Sequence, residues 1–164
     1  MRTVFSALTA VSLFACGSHA TTPAAPAQSG TAPLEAEIEL AVLMYRLQVH
    51  ADKLWHSGAA ENWPLAGFYV HEIEETLHEI QSASIEEDGH NISALVGRTR
   101  ITTPMKDMKT AIKASDKEAF QNGYQALMTG CNSCHKEVEH GFIQVQVPTS
   151  PGLTNQRFAP QTSE

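Results

Sequence analysis

Five consecutive residues near the carboxyl end, Cys131-Asn132-Ser133-Cys134-His135, have the side chains and the spacing for covalent haem attachment. In a C-x-x-C-H segment the two thiols form thioethers with vinyl groups on one edge of the porphyrin, and the histidine that follows binds the iron. We therefore predict one covalent haem c, with Cys131 and Cys134 as its thioether attachments and His135 as its proximal iron ligand.

Two other uses of a C-x-x-C pair are considered beside haem attachment. A structural zinc site needs four ligands, and beyond Cys131, Cys134 and His140 the sequence offers no second cysteine pair at finger-like spacing. A thioredoxin-like dithiol belongs in a βαβ unit, whereas the flanking residues from Phe120 to Val138 have helical spacing. Haem attachment is therefore the favoured interpretation.

The sixth position of the iron decides what such a haem can do. A haem with one axial protein ligand can bind small gases or peroxide, whereas a haem with two is suited to moving electrons, because little reorganises when the iron changes charge. The candidate ligands are His50, His56, His71, His78, Met44, Met105, Met108 and Met128. His50 is the first choice, because its helical phase places it beside Leu43, Leu47 and Leu54.

The other candidates each have a simpler role. His56 falls at the predicted end of a helix, where the helix dipole favours the protonated imidazole over an iron ligand. His71 and His78 share a helix face with acidic residues and are expected in solvent. Met105 and Met108 repeat with the apolar positions of their helix, which predicts packing in the core.

Apolar residues recur at intervals of three and four through most of the chain, which predicts an all-α fold. The predicted helices are about 34–56, ending at Ser57-Gly58, then Asn62 to about Ser84, Thr103-Pro104 to about Ser115, and a fourth capped by Asp116 that carries the haem motif on its inner face. Residues 86–103 are predicted as a connection with a helical turn around Ser93 to Val96.

The first predicted helix has apolar residues on two faces. Its main stripe is Ile38, Val42, Tyr45 and Val49, and its second stripe is Leu40, Leu43, Met44, Leu47 and Leu54. A simple surface helix buries one stripe only. The second stripe is therefore expected to be covered by the haem, by a partner subunit in a homodimer, or by the carboxyl-terminal tail.

Four helices with C-x-x-C-H in the last one resemble the cytochrome c prime class of four-helix-bundle cytochromes. The resemblance implies a haem inside the bundle, with His135 as the proximal ligand. The chain also resembles a broader group of secreted bacterial monohaem proteins in Lys53-Leu54-Trp55, in Asn62-Trp63-Pro64-Leu65-Ala66 and from Cys131 to Pro148. It differs from the prime class in the length of chain that follows the haem motif.

That carboxyl-terminal extension is predicted as residues 142–164, after a haem-binding domain of residues 34–141. From Gly141 to Pro148 the sequence alternates. Ile143, Val145 and Val147 fall on one side, and Phe142, Gln144 and Gln146 fall on the other. Such alternation predicts an extended segment that lies against the helices and partly closes the haem edge.

The amino-terminal segment is typical of a secretory signal peptide, predicted over residues 1–20, with Arg2 before an apolar run that is short for a membrane span. Leu13-Phe14-Ala15-Cys16 resembles a bacterial lipobox, and Ser18-His19-Ala20 offers a second cleavage site. The favoured outcome is a lipid on Cys16, followed by a disordered tether over residues 21–33. The mature domain is expected in the periplasm, anchored to the membrane as a lipoprotein.

The formal charge of −7 over 164 residues excludes a typical nucleic-acid binder. Acidic residues concentrate at Glu72, Glu74, Glu75, Glu79 and Glu86-Glu87-Asp88. They could steer a basic redox partner, although an acidic helix face is usually only solvated. The predicted function is single-electron transfer by a monohaem cytochrome c. The alternatives are a five-coordinate haem protein that binds nitric oxide or carbon monoxide and, third, a peroxide-reducing enzyme.

Overall fold

The structure is a computed structural model that describes residues 39–152 and 155–161. Within these residues the fold is all-α, as the sequence predicts. The helices are α1 (Leu40–Ala59), α2 (Trp63–Ser82), α3 (Ile92–Val96), α4 (Thr99–Ala114) and α5 (Lys117–Glu137). An antiparallel pair of two-residue strands, β1 (Glu86–Glu87) and β2 (His90–Asn91), lies between α2 and α3. The predicted signal peptide, the tether and Cys16 lie outside the described residues.

The four long helices each contact two others. α1 packs against α2 and α5, and α4 packs against α5 and α2. The larger apolar cluster draws on all four, whereas a smaller one joins α1, α2 and α3 to Val138 just after α5. Among the described residues, no helix is both long enough and apolar enough to cross a membrane.

The buried face of α1 is the one that carries the predicted second stripe. Leu43 and Leu54 are fully buried, whereas Val42 and Tyr45 of the predicted main stripe are 49% and 63% exposed. The prediction of a buried main stripe is therefore wrong at these two positions. Burial of the leucine-rich face is favoured, because it removes aliphatic side chains from water.

The ends of α1 also differ from the prediction. The helix begins at Leu40, after Glu39, whose backbone is extended, and it continues to Ala59. Ser57 and Gly58 therefore lie inside the helix rather than ending it. Gly58 is needed for packing, because a Cβ atom there would overlap the ring of Phe120 on α5.

α2 begins as the sequence predicts. The side chain of Asn62 accepts a hydrogen bond from the Leu65 N–H (3.4 Å), and Pro64 stands in the first turn. After α2, Asp88 and Gly89 both have positive φ and form the turn between β1 and β2. The predicted helical turn around Ser93 to Val96 is confirmed as α3.

α4 begins at Thr99, four residues before the Thr103-Pro104 pair that the sequence predicts as its start. Pro104 is thus inside the helix, where its missing N–H leaves the Arg100 carbonyl without its usual helical donor. Gly130 of α5 lies against this same carbonyl. The two helices therefore approach closely at the residue that precedes Cys131.

Candidate functional site

Helix α5 positions the C-x-x-C-H segment in its last two turns. The Asp116 side chain caps the helix by accepting a hydrogen bond from the Ala119 N–H (2.9 Å), and Phe120, Tyr124 and Leu127 fix its buried face in the core. Because Cys131 lies four residues after Leu127, it continues this buried face. The cap and the stripe predicted for this helix are both confirmed.

Cys131, Cys134 and His135 line one cavity of about 670 Å³, a volume within the usual range for cofactor sites. Its wall is largely apolar and comes from every long helix and from the tail. Residues that line it include Leu40, Met44, Leu47, Ile73, Leu77, Val96, Ile101, Leu127, Val138 and Val145. The second stripe of α1 therefore faces this cavity through Leu40, Met44 and Leu47.

The two cysteines are free, half-buried thiols. Burial, together with the neighbouring Cys134, raises the pKa of Cys131 to about 11, and burial also raises the pKa of Cys134. Both sulfurs are therefore neutral near pH 7. Metal ligands and redox nucleophiles need the thiolate, whereas a thioether is neutral and suits an apolar wall.

The imidazole of His135 is oriented by the chain that follows α5. Its Nδ1 lies 2.9 Å from the backbone carbonyl oxygen of Ile143. Because a carbonyl can only accept, Nδ1 must carry the proton and donate it. In the neutral imidazole with this tautomer, the other ring nitrogen, Nε2, carries the lone pair with which histidine binds iron.

Residues 142–161, called the strap, have neither helix nor strand in their described part, and the stretch from Ile143 to Pro148 lines the cavity wall. Ile143, Val145 and Pro148 line the cavity, and Val145 and Val147 pack against the larger core cluster. Phe142 is 79% exposed and Ile143 is 46% exposed. The predicted alternation is thus present at Val145 and Val147, and Ile143 lies at the rim.

Side chains on α1, α2 and α5 hold the strap along its length. The Asn132 carboxamide makes two hydrogen bonds to the backbone of Val145, both 2.8 Å long. Farther on, Gly152 N–H donates to the Asp52 carboxylate (3.2 Å), and Tyr69 donates to Gln156 (2.7 Å). Asn62 donates to the carbonyl of Phe158 (3.0 Å). In the C-x-x-C-H pattern Asn132 is only a spacing residue, so its contact with Val145 could not be predicted from the sequence.

The structure does not bring His50 to the cavity that contains the cysteines. Its ring lies 6.1 Å from the ring of Tyr69 on α2, and its Nδ1 is buried without a hydrogen-bond partner. His56 lies against Phe158 and is 3.7 Å from Asp52. His71 and His78 are exposed on α2.

Among the described residues, three with typical iron-ligand side chains line the cavity from outside α5, and one of them is Tyr45 of α1. Met44 reaches it from α1, and His140 reaches it from the turn after α5. Met128 also lines it but stands on the helix of His135. Met105 and Met108 are buried in the core, as the sequence predicts.

The large aromatic residues pack against one another beside the cavity. Trp55 contacts Tyr124 with 5.1 Å between ring centres, and Trp63 meets the edge of Phe120 at 6.1 Å. The Tyr124 hydroxyl donates to the carbonyl of Ala51 (3.0 Å). Burial first, and the nearby Asp52 and Cys131 charges second, raise the pKa of Tyr124 above its ordinary value.

Charged pairs tie the helices together around the site. Arg98 and Arg100 at the start of α4 both bind Glu137 at the end of α5 and hold the pKa of that carboxyl below its usual value. Glu79 binds Arg46 (2.6 Å) and Glu74 binds Lys109 (2.8 Å). These two predicted partner-steering acids are therefore paired within the chain.

Comparison of the chain with protein-family models, with curated proteins and with solved structures finds no match.

Proposed function

We propose that the protein is a secreted bacterial monohaem c-type cytochrome that passes single electrons between redox partners. The observation that supports this most strongly is the position of Cys131, Cys134 and His135 on one wall of an apolar cavity, with His135 Nδ1 bonded to the Ile143 carbonyl. This combination leaves two neutral sulfurs and one free imidazole nitrogen beside a space of cofactor size.

The residues of the cavity fit a covalent haem c. Cys131 and Cys134 would hold it through thioethers, and His135 Nε2 would be the proximal ligand. A bound haem supplies a one-electron redox centre. The apolar side chains from α1, α2 and the strap exclude water from this wall, and the Ile143 carbonyl fixes the tautomer of His135.

For the sixth position we propose Met44, which lines the cavity from α1, in place of His50, which packs against Tyr69. Thioether sulfur is a common second ligand in electron-transfer cytochromes. The arrangement of four long helices around the cavity also supports a four-helix bundle of the cytochrome c prime type.

A second candidate function is reversible binding of nitric oxide or carbon monoxide at a five-coordinate iron. The apolar residues that line the cavity with Met44, among them Leu40, Leu47 and Leu77, favour it, because they would leave an apolar space for a small gas if the methionine sulfur does not bind iron. Arg46, the only arginine of α1 and α2, is bound to Glu79. A peroxide reaction would need an acid or base near the iron.

The cellular setting that we propose rests on the sequence alone. A signal peptide and a lipid on Cys16 would place the domain in the periplasm, anchored to a membrane. A basic redox partner would meet the acids that form no salt bridge among the described residues, such as Glu75 and Glu86-Glu87. A second copy would pack against the exposed Val42 on α1 in a homodimer, whereas the exposed Tyr45 lines the rim of the cavity.

Two measurements test the proposed function. Haem staining on a denaturing gel should be positive for the native protein and negative for the Cys131→Ala, Cys134→Ala double variant. Visible spectra of the ferric and ferrous forms, with and without carbon monoxide, should then show a low-spin protein that binds the gas poorly. A native protein without stain contradicts haem attachment, and a high-spin protein that binds carbon monoxide readily selects the gas-binding function.

A further inference from the structure

The strap meets α5 at two neighbouring points that have the same geometry. The Ile143 carbonyl accepts a hydrogen bond from His135 Nδ1, and the Val145 carbonyl accepts one from Asn132 Nδ2. Carbonyls two residues apart in an extended chain point to the same side. Residues three apart on a helix also share a face. The two contacts are therefore coupled by the backbone between Ile143 and Val145.

We propose that Asn132, the first residue between the two cysteines, is a positioning residue that sets the axial histidine through the strap. Its carboxamide binds both the N–H and the carbonyl of Val145, as a neighbouring β-strand would. This fixes the strap two residues beyond the carbonyl that orients His135. The inference rests on the proposed haem function and assigns a role to a residue that the C-x-x-C-H pattern leaves free.

The other attachments of the strap do not replace this one. Before Ile143 the chain is held by its own backbone, with Ile143 N–H donating to the His140 carbonyl (2.8 Å). After Val145 the next side-chain attachment is Asp52, which meets Gly152 at 3.2 Å. Among the described residues, Asn132 is thus the helix side chain that holds the strap closest to Ile143 on its far side. Its two hydrogen bonds, both 2.8 Å, are shorter than the two contacts of Asp52 with Gly152 N–H (3.2 and 3.3 Å).

The consequence for the haem is control of the proximal ligand. The hydrogen bond at Nδ1 selects the tautomer of His135, fixes the plane of its ring and raises the basicity of Nε2. If the strap is not held at Val145, the Ile143 carbonyl can move away and Nδ1 turns to solvent. Asn132 thereby links closure of the cavity edge to the orientation and tautomer of His135, the residue that would bind the iron.

The test is hydrogen–deuterium exchange followed by NMR on the haem-bearing full chain, with His135 Nδ1–H and the Val145 amide as probes. In Asn132→Ala both should exchange roughly tenfold faster than in the native protein, which corresponds to about 1.4 kcal/mol of lost protection. Asn132→Asp keeps the oxygen that accepts from Val145 N–H but turns a second carboxylate oxygen toward the Val145 carbonyl, which also only accepts, so His135 Nδ1–H should again exchange faster than in the native protein. If Asn132→Ala does not incorporate haem, the exchange rates of Asn132→Asp provide the test instead.

Two control variants separate positioning from a general loosening of the tail. Ser133→Ala changes the exposed neighbour within the same motif and should keep native exchange rates. Gln156→Ala removes the attachment to Tyr69 at the far end of the strap and should leave His135 Nδ1–H protected. If Gln156→Ala speeds this exchange as much as Asn132→Ala does, the special role of Asn132 is rejected.

Haem staining of the same samples distinguishes a failure of the Asn132 inference from a failure of the proposed haem function. Both cysteines and His135 are retained, so Asn132→Ala should still stain. A stained Asn132→Ala protein with native exchange at His135 Nδ1–H overturns the inference and leaves the haem function standing. A native chain that never stains overturns the haem function and the inference with it.

Discussion

Gly130 of α5 lies directly against the backbone carbonyl of Arg100 in α4, with no room for a Cβ atom between them. This contact occurs where Pro104 has removed the helical donor to that carbonyl, and it stands one residue before Cys131. It therefore sets how closely the segment with the two cysteines approaches α4.

Gly130→Ala should destabilise the protein by about 1–3 kcal/mol and reduce haem incorporation, because the overlap forces α5 away from α4. Denaturant unfolding and the ratio of haem to protein absorbance measure the two effects. Gly67→Ala is the matched control, since its Cβ would meet only Ile112 at 3.9 Å and alanine suits a helix better by about 0.5–1 kcal/mol. Equal stability of the native and Gly130→Ala proteins would contradict the close contact.

His135→Ala should shift the Soret band and destabilise the haem-bearing protein, because the iron loses its link to α5 while both thioethers remain. His78→Ala, which changes an exposed histidine on α2, should leave the spectrum and the unfolding midpoint unchanged. A native spectrum for His135→Ala would reject His135 as the proximal ligand.

Met44→Ala should convert the ferrous protein from low-spin to high-spin and let it bind carbon monoxide readily. His50→Ala is its matched comparison and should keep the native spectrum, because His50 contacts Tyr69 and lies off the cavity wall. The opposite pairing, with a change only in His50→Ala, would support His50 as the sixth ligand. If the native protein is already high-spin, the iron has no sixth protein ligand.

Tyr124→Phe should flatten the loss of stability at high pH. The folded pKa of Tyr124 is raised above the unfolded value of about 10, so its contribution is complete below pH ~10 and is lost as the pH rises through the folded pKa. Near pH 7 the variant should lose about 1 kcal/mol with the hydrogen bond to Ala51. Denaturant midpoints measured from pH 7 into the alkaline range give both the loss near neutral pH and its change with pH. Tyr45→Phe, at an exposed tyrosine, is the control.

If Cys16 carries a lipid, as we propose, the full chain should fractionate with membranes and Cys16→Ser should release it. Cell fractionation with mass spectrometry of the mature amino terminus decides the question. A native chain recovered wholly in the soluble fraction, with its mature start at Thr21, would exclude the lipid and select the second cleavage site.

The sequence by itself determined the features that depend on neighbouring residues. The C-x-x-C-H segment is contiguous, so its chemistry can be recognised without a fold. The caps at Asn62 and Asp116 are local hydrogen bonds, and both are present in the structure. The buried stripe of α5 follows from helical spacing alone, which is why the placement of Cys131 beside the core could be predicted.

Only the tertiary structure decided which side of α1 faces the cavity. Both stripes of that helix are apolar, so periodicity cannot choose between them. Within the second stripe, Leu40, Met44 and Leu47 line the cavity, whereas His50 lies beside Tyr69 of α2. The hydrogen-bond partners of Asn132 and His135 could not be predicted from the sequence either. They depend on the register of an extended strap against a helix eight to thirteen residues away, and that register is set by packing rather than by local propensity.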